Sequence, residues 1–117
     1  MSNLQRFVGV LVILAACAAP SPEQRVADTE LSALAPLRQR YPVVAGFDVK
    51  TPNTLVVSLD LQTYIGMSDD ETAAIRRAVV ERWRSAWIEA HPKSHAALHV
   101  RFIDFIGRKV AEETIRG

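Results

Sequence analysis

The sequence predicts an α+β fold: an N-terminal helix, then a ββαββ order, with helices packed on one face of a mostly antiparallel sheet. Three observations predict it. Two short segments alternate apolar with polar residues, a long segment repeats apolar residues at helical spacing, and a further alternating stretch follows that helix.

The first helix begins at Ser21 and Gln24, which have the spacing of a capping box with Pro22 in the first turn. Leu31, Leu34, Leu37 and Tyr41 then recur every three or four residues. Pro36 interrupts that stripe and predicts either a kink or a restart, because proline lacks the donor and clashes with the preceding turn. Pro42 ends the element.

Two strands follow. Ala45, Phe47 and Val49 alternate with Gly46, Asp48 and Lys50, and Leu55, Val57, Leu59 and Leu61 alternate with Val56, Ser58, Asp60 and Gln62. Pro52-Asn53 suits a two-residue hairpin, but that pairing sets Lys50 opposite Leu55 and Asp48 opposite Val57. Register outweighs local turn preference. The expectation is therefore an odd-length connection, Pro52-Asn53-Thr54, that opposes Val57 to Val49 and Leu59 to Phe47.

The second helix has the clearest signals. Ser68 and Glu71 read as a capping box, Asp69 and Asp70 place negative charge at the positive helix end, and His91-Pro92 stops the pattern after Ala90. At about 100° per residue, Ile75, Val79, Val80, Trp83, Ala86, Trp87 and Ala90 fall in one arc. That arc is expected to cover the sheet, with both tryptophans filling core. Leu98 to Ile106 reads as a third strand. Gly107 turns it into a fourth, from Arg108 to about Ile115, although Ala111-Glu112-Glu113 also suits a short helix.

Ahead of this domain, an apolar run from Phe7 to Ala19 follows Arg6 and contains Leu14-Ala15-Ala16-Cys17. Thirteen residues are too few to cross a bilayer core, which needs about 20. The segment resembles the lipobox of bacterial lipoproteins, and it holds the single cysteine of the chain. The resemblance covers the first 18 residues or so and names no family for the mature domain. It implies a signal peptide at 1–16, a lipidated Cys17 with a spacer through 22, and one domain at 23–117. It also implies anchoring to a membrane through Cys17, outside the cytoplasm. Ala18, where aspartate would favour retention at the inner membrane, points to the periplasmic face of the outer membrane in a Gram-negative cell.

Cleavage before Cys17 leaves 101 of 117 residues, enough for one core. It also removes Arg6, so that Lys plus Arg falls from 14 to 13 against 13 Asp plus Glu. A balanced surface argues against nucleic acid as a partner. With no second cysteine, stability has to come from packing alone.

Candidate chemistry is sparse. No Gly-rich phosphate loop, His-Glu-x-x-His or Gly-x-Ser-x-Gly is present. His91, His95 and His99, with Glu89, are candidate zinc or copper ligands, but Pro92 breaks the helix that would align them. Asp48 and Asp60 are expected on the outer face of the hairpin, where paired carboxylates would serve a hydrolase acting on envelope polymers. Asp104 continues the phase of Leu98, Val100 and Phe102 towards the core, so it needs a partner. Arg76 or a turn at Gly107 would supply one. The expected role is a non-catalytic, cofactor-free binding or accessory component of the cell envelope with an unidentified protein partner. A metal-binding lipoprotein and the hydrolase are the alternatives.

Overall fold

The computed structural model describes residues 21–50 and 52–117. The expectations for the signal peptide and for Cys17 lie outside them. Helix α1 spans Pro22–Arg40, strands β1 and β2 span Val44–Lys50 and Thr54–Leu59, and a short helix α2 spans Leu61–Ile65. Helix α3 then spans Asp69–Ala90, and strands β3 and β4 span Ala97–Ile103 and Lys109–Arg116. The sheet order is β1-β2-β3-β4, so β1 and β4 are its two edges. Both hairpins are antiparallel, while β2 and β3 run parallel because the α2–α3 segment crosses between them.

Only one sheet face is buried. Leu55, Val57 and Leu59 on β2 and Leu98, Val100 and Phe102 on β3 alternate with partly exposed residues, and they share a core with Leu34 and Leu37 of α1 and with Ile75, Val79, Trp83 and Trp87 of α3. Both long helices therefore lie on the same side. Helix α1 packs on α3 and on β1.

The helix ends follow local chemistry. Ser21 Oγ accepts from the Gln24 N–H while Gln24 Oε1 accepts from the Ser21 N–H, which completes the capping box. Pro36 stays inside a continuous helix that ends at Arg40. At α3 the Ser68 hydroxyl accepts from the Glu71 N–H and donates to Glu71 Oε1, so the glutamate meets the cap's side chain and not its backbone.

Several expectations need correction. The hairpin connection has three residues, but they are 51–53: Lys50 pairs with Thr54, Val49 with Leu55 and Phe47 with Val57. This register differs from the expected one by two residues, which keeps the same faces matched. Asn53 stays outside the ladder, as expected, and reaches β3, its Nδ2 donating to the Ala97 carbonyl at 2.6 Å and its own carbonyl accepting from the His99 N–H at 2.9 Å. A bulge between Val44 and Gly46 reverses the phase of β1, so Val44 is buried and Ala45 exposed. Leu61 is not a strand residue but opens α2, and Asp60 is its N-cap. Strand β3 stops at Ile103. Strand β4 forms despite Ala111-Glu112-Glu113, because pairing of Phe102 with Ala111 and of Val100 with Glu113 overrides intrinsic preference.

Candidate functional site

Among the buried side chains, one charged group faces a cleft. Glu30 lies on the stripe that runs through Leu34 and Leu37, one turn before Leu34, and is only 2% exposed. Trp83 on α3 is fully buried opposite it and donates its indole N–H to Glu30 Oε1 at 3.1 Å. Burial pushes the Glu30 carboxyl above its ordinary value of 4.5, against the lowering effects of the Trp83 hydrogen bond and of the His91 charge.

An open-mouthed cleft of about 280 Å³ forms here between the first half of α1, the end of β1 and the C-cap of α3. Val26, Ala27, Val49 and Pro52 supply apolar wall, and Glu30 and His91 the polar groups within it. His91 is held by its neighbours. Its ring stacks on Trp87 with centroids 4.2 Å apart, and Nδ1 lies 2.9 Å from the Trp87 carbonyl. A carbonyl only accepts, so Nδ1 carries a proton, and Nε2 has no hydrogen-bond partner among the described residues.

The histidine set does not converge. His91 is in the cleft, His95 is exposed in the α3–β3 connection, and His99 lies on the outer sheet face with Nδ1 3.2 Å from Thr114 Oγ1. Glu89 is exposed on α3. Among the described residues, no three His, Cys, Asp or Glu side chains are placed to hold one metal ion.

The carboxylate pair separates too. Asp48 pairs with Lys50 at 2.9 Å on the exposed face, whereas Asp60 accepts from the Thr63 hydroxyl at 3.1 Å beyond the end of β2. The two do not share the hairpin's outer face as expected.

Asp104 is buried, as its phase implies, and a turn satisfies it. Its Oδ1 accepts from the backbone N–H groups of Ile106 and Arg108, and Oδ2 accepts from Arg108 Nε at 2.9 Å. Burial alone would raise this carboxyl, but the Arg108 backbone and side-chain hydrogen bonds, the Arg108 charge and the Ile106 N–H together take it below its ordinary 3.8. Arg76 is not its partner. That guanidinium donates to the Tyr64 hydroxyl and lies 3.9 Å from Glu113.

Sequence reasoning missed Glu30. The signal was available: positions 30, 34, 37 and 41 continue one helical stripe, and a carboxylate on that stripe requires a buried donor. Trp83, on the apolar arc of the other long helix, was the donor to look for. No family model matches the chain, and no curated protein or solved structure is found to be similar to it.

Proposed function

We propose that the chain is a non-catalytic binding component of the cell envelope, anchored by lipid at Cys17 and binding through the Glu30 cleft. The cleft carries this reading: it combines apolar walls with a buried, oriented carboxylate, the usual composition of a small-molecule site. The anchor would hold it near a membrane. Four peptide links separate Cys17 from Ser21, a reach of at most about 14 Å, and Pro22 and Glu23 already line the cleft. Among the described residues no helix is long and apolar enough to cross a membrane.

Two measurements test the reading. Cys17→Ser should leave an unprocessed or soluble product, and an unmodified Cys17 thiol in mature, membrane-bound protein would overturn the anchor. Native mass spectrometry of protein extracted from membranes should find a bound species that Ala27→Phe, which fills the cleft, no longer carries. Identical spectra from the two would overturn binding through the cleft.

A further inference from the structure

Glu30 has acceptor capacity that the fold leaves unused. An ionised carboxylate offers about four acceptor positions, and Trp83 fills one of them at Oε1. Oε2 has no hydrogen-bond partner among the described residues. Glu30 is 2% exposed and lines the cleft, so what little of it stays open faces that space.

The surrounding groups decide what suits it. Glu23 is a second carboxylate in the lining, and no lysine or arginine among the described residues lines the cleft. His91 has its Nδ1 proton committed to the Trp87 carbonyl, so in its neutral form Nε2 is another acceptor. Two carboxylates outweigh the single histidine even where His91 is charged, so the lining repels an anion and attracts a donor-rich cation. The apolar wall requires that the cation carry hydrocarbon. The volume of about 280 Å³ is at the small end for ligand sites, so the part of the chain that the cleft covers is short.

We infer that this cleft binds a primary ammonium group bearing a short apolar chain, with Glu30 Oε2 accepting its N–H donors while Val26, Ala27, Val49 and Pro52 pack the hydrocarbon. A quaternary ammonium has no N–H to give, so it should bind far more weakly. The inference rests on the binding reading of this cleft and specifies its ligand. Its source is a free primary amine.

The test uses the indole N–H of Trp83, which reports directly on Glu30, in ¹H–¹⁵N spectra of the folded protein. Titration with n-butylammonium should shift that resonance saturably, and tetramethylammonium should not. Glu30→Gln keeps an acceptor for Trp83 while removing the charge, and should weaken n-butylammonium at least tenfold with the rest of the spectrum retained. Glu23→Gln, at an exposed position, should weaken it a few-fold. An equal response to butyrate or 1-butanol, or unchanged affinity in both variants, would overturn the ammonium assignment and leave the binding cleft standing. No saturable shift with any probe would overturn both.

Discussion

Trp83 on α3 and Glu30 on α1, 53 positions apart, are joined by a buried hydrogen bond that closes the helix layer over the sheet. The pair fixes how the two long helices meet. An apolar core alone tolerates sliding, whereas an indole N–H with a single buried acceptor selects one arrangement. The same bond aims the carboxylate at the cleft, so packing and the candidate site share one interaction.

Removing either partner should therefore have unequal effects. Trp83→Phe takes away the only donor to Glu30 Oε1 among the described residues and should cost about 1–3 kcal/mol of unfolding free energy, because a buried acceptor loses its partner. Trp83→Ala adds a cavity and should cost about 3–5 kcal/mol. Glu30→Gln keeps the acceptor and removes a buried charge, so denaturant titration should show little loss or a gain. A larger loss for Glu30→Gln than for Trp83→Phe would show that the charge, and not the hydrogen bond, holds the helices together.

The two buried carboxyls should also respond oppositely to pH. Glu30 is held above 4.5 in the folded state, so the unfolded chain ionises it first; its contribution is fully present below 4.5 and is lost as pH rises through the folded value. Asp104 is held below 3.8, so its contribution is present above 3.8 and lost as pH falls through the folded value. Urea denaturation as a function of pH checks both. Relative to the native sequence, Glu30→Gln should gain stability as pH rises, and Asp104→Asn should lose its deficit as pH falls. The reverse trend in either variant would show that its carboxyl titrates in the other direction.

How much of this was legible in the sequence depends on which kind of signal each element needed. Helix α3 carried its own caps and an uninterrupted arc, so its ends at Ser68 and His91 follow from local chemistry. The hairpin register did not, because a shift of two residues leaves the alternation of Phe47, Val49, Leu55 and Val57 intact. In the register that forms, Thr54 joins the ladder opposite Lys50 and Asn53 reaches across to Ala97, a contact 44 positions away. The cleft was hidden for a similar reason: Glu30, Val49 and His91 come from three elements, and only the assembled layer brings them together.

Gly107 tests the β3–β4 turn that buries Asp104. Its φ of +85° lies in the left-handed region, its N–H donates to the Asp104 carbonyl at 3.0 Å, and a Cβ there would meet no atom within 4 Å. The cost of Gly107→Ala is then conformational and not steric, about 1–2 kcal/mol, and Gly107→Asn should cost less. Phe105 in the same turn is 88% exposed, and Phe105→Ser should stay within about 0.5 kcal/mol. Equal stability of Gly107→Ala and the native sequence would mean that the turn re-forms without the left-handed residue.

Zinc and copper test the histidines. His91 is tied to Trp87 by a ring stack and a hydrogen bond, His99 faces Thr114 on the opposite side of the sheet from the core, and exposed His95 lies between them. Bringing three imidazoles to one tetrahedral ion would break the Trp87 stack, worth about 0.5–1.5 kcal/mol, and lift His99 off its strand face. Titration followed by calorimetry should therefore find affinity no greater than that of a surface histidine pair, insensitive to His95→Ala. A stoichiometric submicromolar site abolished by alanine at any one of His91, His95 or His99 would require the connection to fold back, with Glu89 as a fourth ligand. Such a site would draw His91 out of the Glu30 cleft. Metal and n-butylammonium would then compete, and the competition would appear directly in the Trp83 indole resonance.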